Sequence, residues 1–143
     1  MTKRIFRSIT LVAAVVLLAS FIVTLGVLSE YFSGVQKELL HDELGLAAAA
    51  VETDGTEYLE RAKSANYRLT WIASDGTVIY DSQADAASMQ NHLGREEVDG
   101  ALRTGVGEST RYSSTLLEKT TYYAKRLSDG TVLRISASRH TAV

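Results

Sequence analysis

The sequence predicts an α+β chain: a membrane-crossing helix that runs on into a long helix, then a five-stranded antiparallel sheet with short helices beside it. Three observations lead there. Residues Ile9 to Leu28 carry no charge and follow Lys3, Arg4 and Arg7. Apolar residues then recur at helical spacing as far as Glu52. Beyond Asn66 the period drops to two, and Ser-Asp-Gly-Thr-Val stands at both 74–78 and 128–132.

At about 1.5 Å rise per residue, roughly twenty uncharged residues cover the ~30 Å hydrocarbon layer. The hydroxyls of Thr10, Ser20 and Thr24 can bond back to helix carbonyls. The basic residues precede the span and the first charge after it is Glu30, which places residues 1–8 in the cytoplasm, 9–28 in the membrane and the rest outside. A cleaved secretory signal is the competing reading. Its apolar core is shorter, about 7 to 15 residues, and it ends in a small-x-small site that residues 27–34 supply poorly, so an uncleaved anchor is expected.

Residues 29–52 read as a signalling and dimerisation helix. Leu28, Phe32, Val35, Leu39, Leu46 and Ala49 follow a heptad seam broken by Asp42, while Leu40, Leu44, Ala47 and Val51 form a second stripe about 100° away. Either the first stripe meets a twin helix, or both belong to one wide core-facing surface. Asp54-Gly55 ends this helix, and a short helix follows from Thr56 to Ser64 with Thr56 as its cap.

Residues 53–143 are read as one folded domain. Tyr67, Leu69 and Trp71 alternate with Arg68, Thr70 and Ile72, and Ser74-Asp75-Gly76 turns the chain into Thr77 to Tyr80. A second hairpin joins Tyr122–Leu127 to Thr131–Ala137 across Ser128-Asp129-Gly130. The shared pentapeptide is turn chemistry, not a duplication. Between the hairpins, 84–93 is irregular and Arg95–Thr104 is a helix with Val98, Ala101 and Leu102 on one face and Gly105 as its stop. Gly107 to Leu116 is a strand that turns at Glu118-Lys119. A sheet with its helices on one face, the outer strands of each run brought together by the intervening helical crossover, satisfies this order.

Composition narrows the function. Fifteen basic against 17 acidic residues give no basic face for nucleic acid. With no cysteine, the exported part coheres by packing alone, and with no proline no stiff linker divides it. The roughly 115 residues after the span suit one domain. No nucleophile elbow, phosphate-binding loop or dinucleotide motif is present, so no catalytic residue is expected. His41, His92 and His140 lack the paired spacing of metal ligands, and no metal is expected.

Two groups remain as site residues. Asp81, Asn91, His92 and Arg95 read as a structural staple: Asp81 and Ser82 accept backbone donors, Arg95 bridges its helix to Asp81, and Glu96 and Glu97 favour the positive helix end. Arg68, Trp71, Arg111 and Tyr123, with Lys125, Arg134, Tyr112 and Tyr122 beside them, mix cations and aromatics that can hold a carboxylate. The alternative is that these cations line a solvated strand face.

Several strings carry a resemblance over residues 67–136. They are Asp75-Gly76-Thr77-Val78-Ile79-Tyr80-Asp81-Ser82, Met89-Gln90-Asn91-His92, Arg95-Glu96-Glu97-Val98 with Ala101-Leu102, Gly105-x-Gly107, Arg111-Tyr112-Ser113 and Tyr122-Tyr123-Ala124. In order and spacing they resemble the extracytoplasmic sensor domain, single Cache-like and PAS-related, of PhoR-type bacterial sensor histidine kinases. The resemblance implies the signal-input region of a two-component kinase in the bacterial cell membrane, homodimeric through its N-terminal helix. A small molecule or an envelope protein would be its signal. It also implies a second span, a phosphoacceptor helix and an ATP-binding domain beyond Val143. ATP and Mg would be bound, and a response regulator met, only there, leaving this segment without a cofactor. Chemoreceptor or cyclic-dinucleotide output, or an anchored interaction module without output, are the alternatives.

Overall fold

Helix α1, Thr2–Asp54, joins the apolar stretch and the two-stripe segment without a break. The computed structural model describes residues 1–63, 66–113 and 118–140, without the side chains of Ser113, Arg139 and His140. The chain divides into two units, Met1–Glu38 and Leu39–Val143.

The first unit is the N-terminal part of α1. Its large apolar side chains from Ile5 to Phe32 are exposed. The hydroxyls of Ser8, Thr10 and Thr24 donate to the carbonyls of Arg4, Phe6 and Ser20, four residues back, at 3.0, 2.9 and 2.8 Å, hiding polar groups on an apolar surface. By length and composition this helix can cross a membrane.

In the second unit, α1 ends where Gly55 adopts φ +59°, and α2, Thr56–Arg61, follows. The expected cap at Thr56 is displaced by one residue. Thr56 is the first helical position, Gly55 precedes it, and no side chain caps the helix. The helix ends at Arg61, with Ala62 as its C-cap, three residues before the expected end at Ser64, which itself lies outside the described residues. The strands are β1 (Arg68–Ile72), β2 (Val78–Asp81), β3 (Val106–Ser113), β4 (Glu118–Arg126) and β5 (Val132–His140), and α3 is Glu96–Thr104. A single 3-10 turn, Ala86–Ser88, interrupts the otherwise irregular connection before α3.

All strand pairs are antiparallel, in the order β2-β1-β5-β4-β3. The crossover through α3 carries the chain from one sheet edge to the other, and the strands then return until β5 lies beside β1. Strand β4 starts earlier than expected. Glu118 and Lys119 are paired with Ser113 and Tyr112, so they belong to the ladder and not to the turn. The end of the preceding strand at Leu116 lies outside the described residues.

Alternation along the strands gives the sheet two different faces. Leu69, Tyr123, Leu133 and Ile135 pack with Leu44, Ala47, Ala48 and Val51 of α1 and Leu59 of α2. Ile72, Ala124 and Val132 pack with Val98 and Ala101 of α3. Helices therefore cover both faces, where one face was expected, because α3 lies across the side opposite α1. The two stripes of α1 are also separated: Leu44, Ala47 and Val51 are buried, while Leu39 and Leu46 stand exposed.

Helix α3 approaches the sheet closely because two glycines face each other. A methyl group on Gly107 would overlap the carbonyl of Glu97, and one on Gly100 would lie 3.1 Å from the Cα of Gly107. The helix ends where Gly105 takes φ +95° and donates its N–H to the Ala101 carbonyl at 2.9 Å.

Because the core draws Leu44, Ala47, Ala48 and Val51 from α1, residues 39–143 are expected to unfold cooperatively in urea. Residues 53–143 should lose the sharp transition. Leu59→Ala should cost about 2–5 kcal/mol in the longer piece, while the half-exposed Leu93→Ala changes it by about 0.5 kcal/mol or less. Equal urea midpoints for the two pieces by circular dichroism would contradict this packing.

Candidate functional site

On the face toward α3, three positions of β5 alternate as Val132, Arg134 and Ser136, so a buried cation follows directly from strand geometry. Arg134 is 4% exposed. Its partner is Glu97 at the start of α3, which is fully buried, and the Arg134 Nη1 donates to Glu97 Oε1 at 3.1 Å. Arg111 of β3 adds a two-armed contact, Nη1 to Oε2 at 3.0 Å and Nη2 to Oε1 at 2.8 Å. Ser109 donates its hydroxyl to Oε2 at 2.7 Å. One carboxylate thus receives four donors from two strands.

The Tyr122 ring of β4 lies beneath both cations, its centroid 3.8 Å from the guanidinium carbon of Arg111 and 5.1 Å from that of Arg134. The network continues across the sheet. Arg134 Nη2 donates to Thr70 Oγ1 at 3.2 Å, and Thr70 donates to Asp81 Oδ2 at 2.8 Å. Arg68 Nε closes the chain on Asp81 at 2.9 Å from both oxygens. Polar contacts therefore link all five strands on this face.

Burial by itself pushes the Glu97 carboxyl up, but Arg111 and Ser109 outweigh it and bring it down from 4.5 to about 2. Burial also opposes Asp81, where Arg68, the Gln83 and Ala84 N–H groups and Thr70 hold the carboxyl below its ordinary range. Arg134 is lowered by burial, against the pull of Glu97. Arg111 is raised, chiefly by its bond to Glu97.

Arg68, Arg111 and Arg134 do meet carboxylates, and those carboxylates belong to the chain. Tyr122 joins these cations as expected, and the remaining members of the expected cluster lie elsewhere. Trp71 and Tyr123 are on the opposite face with α1, Trp71 donating from Nε1 to Thr131 Oγ1 at 2.9 Å. Lys125 and Tyr112 are exposed. The expected bridge from Arg95 to Asp81 is replaced by the one from Arg68, a neighbour across the β1–β2 ladder. Arg95 is exposed beside the start of α3, with its N–H on the His92 carbonyl at 3.0 Å.

Asp81 also caps the chain after β2, accepting from Gln83 N at 2.9 Å and Ala84 N at 2.8 Å, while Ser82 Oγ accepts from Leu69 N at 3.0 Å. Asn91 and His92 clasp the first hairpin turn. Asn91 Nδ2 donates to the Asp75 carbonyl at 2.9 Å, and His92 N to the Gly76 carbonyl at 2.8 Å. Gly76 has φ +87°, and a side chain there would collide with Asn91 and Leu93. The His92 ring is buried and its Nδ1–H donates to the Gln90 carbonyl at 2.7 Å. Burial lowers its pKa, the Gln90 carbonyl opposes, and the Arg134 charge adds to the lowering. Among the described residues no three His, Asp or Glu side chains converge as a metal site. The His140 side chain lies outside the described residues.

Glu97 is the residue that sequence reasoning misjudged, taking it for an acid that only favours the helix end. It precedes Ala101 by one full turn, on the buried face with Val98, and that spacing was the available signal. No protein-family model matches this chain, and no curated protein matches it.

Replacing Glu97 with Gln leaves two guanidinium groups facing a neutral amide. The substitution is expected to cost about 3–5 kcal/mol by urea denaturation at pH 7. Since folding lowers the Glu97 pKa, its contribution is complete above the ordinary 4.5 and disappears as pH falls toward 2. The difference between wild type and Glu97→Gln should shrink over that window. A difference unchanged between pH 6 and pH 3 would contradict the charge assignment.

Proposed function

We propose that the chain is the signal-input region of a membrane-bound bacterial sensor histidine kinase of the PhoR type, with a PAS/Cache-like sensor outside the membrane and the N-terminus in the cytoplasm. One observation carries the reading: the helical segment after Glu38 has two apolar stripes with separate fates. Leu40, Leu44, Ala47 and Val51 face the sheet, whereas Leu39 and Leu46 of the heptad seam remain exposed. An exposed seam that continues the register of Phe32 and Val35 supports pairing with a twin helix.

The crossover topology is compatible with the sensor reading, since β1 and β5 lie side by side as the order of elements predicts. In this account a signal at the sheet domain shifts the population between two arrangements of the paired helices. The shift passes along α1 to the membrane, and the kinase core responds.

Single cysteines at Phe32, Val35 and Leu39 of this cysteine-free chain are expected to give disulfide-linked dimers in membranes. Cysteines at Leu40, Leu44 and Ala47 should not, because a disulfide needs Cα atoms within about 7 Å. Cross-linking that peaks on the second set, or nowhere, would remove the twin helix. The gene itself tests the output. Downstream of Val143 it should encode a second span, a phosphoacceptor helix and an ATP-binding domain; a stop codon there, or another output domain, would overturn the kinase.

A further inference from the structure

We propose that the outer edge of β3 is a docking site for an extended segment of another protein, which adds to the sheet as a further strand antiparallel to β3. This deepens the sensory reading by naming the kind of partner, and it rests on that reading for its signalling meaning. The docking itself is a property of the sheet.

The two edges of the sheet are unlike. Strand β2 has four residues, its register with β1 shifts after Trp71, and the 3-10 turn at Ala86–Ser88 packs beside it. Shortness, irregularity and cover are the ordinary ways of blunting an edge. Strand β3 has eight residues, pairs with β4 residue for residue from Val106 to Ser113, and carries no proline, lysine or bulge. Its hydrogen-bonding phase is fixed at one end, where the Gly105 carbonyl accepts the Arg126 N–H at 2.9 Å. Alternation then turns the N–H and C=O groups of Val106, Thr110 and Tyr112 away from β4. Among the described residues only the Val106 carbonyl of these meets a partner, the Thr104 hydroxyl at 2.9 Å.

A row of outward donors and acceptors at strand spacing is matched by an extended backbone. Exposed side chains give that segment its pattern. Val106 and Tyr112 are 60% and 58% exposed, and alternation sets them on the same face, so an added strand gains most from two apolar residues placed opposite them.

A second copy of this chain does not fit the edge. His41 packs on Tyr123 and Glu52 accepts the Ser128 N–H, so this part of α1 runs with β4 and against β3. Antiparallel pairing of two β3 edges would therefore reverse one α1 against the other. Parallel pairing would put the two on opposite faces of the joined sheet. Neither agrees with the parallel twin helix proposed above, so the occupant is a foreign segment.

The test uses the full chain in detergent micelles and a fluorescent peptide, Lys-Val-Thr-Thr-Ser-Thr-Thr-Val-Lys, whose valines fall opposite Tyr112 and Val106. Fluorescence anisotropy should show saturable binding. N-methyl groups on the two threonines beside the serine would face β3 and should weaken binding about tenfold or more, whereas N-methyl groups on the two beside the valines face away and should not. Thr110→Pro removes one outward N–H, leaves the ladder to β4 intact and should also weaken binding about tenfold or more. Circular dichroism checks that variant, and if it does not fold the two methylated peptides decide. Absence of saturable binding, equal loss with both methylated peptides, or a folded Thr110→Pro that binds normally would each overturn the proposal. Wild-type dimers in sedimentation that Thr110→Pro abolishes would overturn it too, because a second copy would then hold the edge. Failure of the sensor reading would appear instead in the gene and the cross-links.

Discussion

A carboxylate with no solvent exposure has to be matched where it lies, and in this protein that requirement falls on Glu97. Leaving it unpaired would cost several kcal/mol, a large share of the 5–15 kcal/mol that typically separates folded from unfolded chains. The surrounding sequence meets the requirement in detail. Gly100 and Gly107 let α3 come close to β3, Ser109 and Arg111 then reach the carboxylate, and Arg134 closes it from β5. Exposed pairs such as Arg103 with Asp99 or Lys63 with Glu60 contribute far less, because water screens them. The interior network, not the number of ion pairs, orders this face.

The two faces of the sheet divide the work. The face toward α3 is polar along its middle and apolar only near Ile72, Ala124 and Val132. The other face is apolar and seats α1, with polar ties at its margins. Tyr67 donates its hydroxyl to Glu43 at 2.7 Å, and Glu52 accepts the Ser128 N–H at 2.7 Å. Burial, with Glu43 beside it, raises the Tyr67 hydroxyl to about 12, so this bond keeps its proton throughout the physiological range. The part of α1 after Glu38 is thus fixed to the sheet by its core stripe and two such ties.

Much of the fold was legible because its signals are local. The uncharged stretch, the two Asp-Gly turns, Gly105 as a helix stop and the alternation in β1 and β5 each depend on neighbouring residues. What was not legible depends on distant ones. No local pattern says that α3 crosses the face opposite α1, since that follows from the glycine contact between 100 and 107. Arg68 rather than Arg95 pairs with Asp81 because the β1–β2 register sets Asp81 opposite Thr70, beside Arg68. Trp71 and Arg111 looked like one cluster in sequence, yet strand alternation puts them on opposite faces. The carboxylate partner of the cations was present in the chain, at Glu97, and was missed because a first-turn glutamate already had a sufficient local explanation.

The organising role given to Glu97 is most directly tested by a double-mutant cycle on Glu97 and Arg111, using Glu97→Gln, Arg111→Met and the double variant in urea unfolding. If the carboxylate and its two-armed partner act as a unit, the coupling energy should fall at about 1.5–3 kcal/mol. Costs that simply add, within about 0.5 kcal/mol, would contradict the account and leave Glu97 as one polar contact among many.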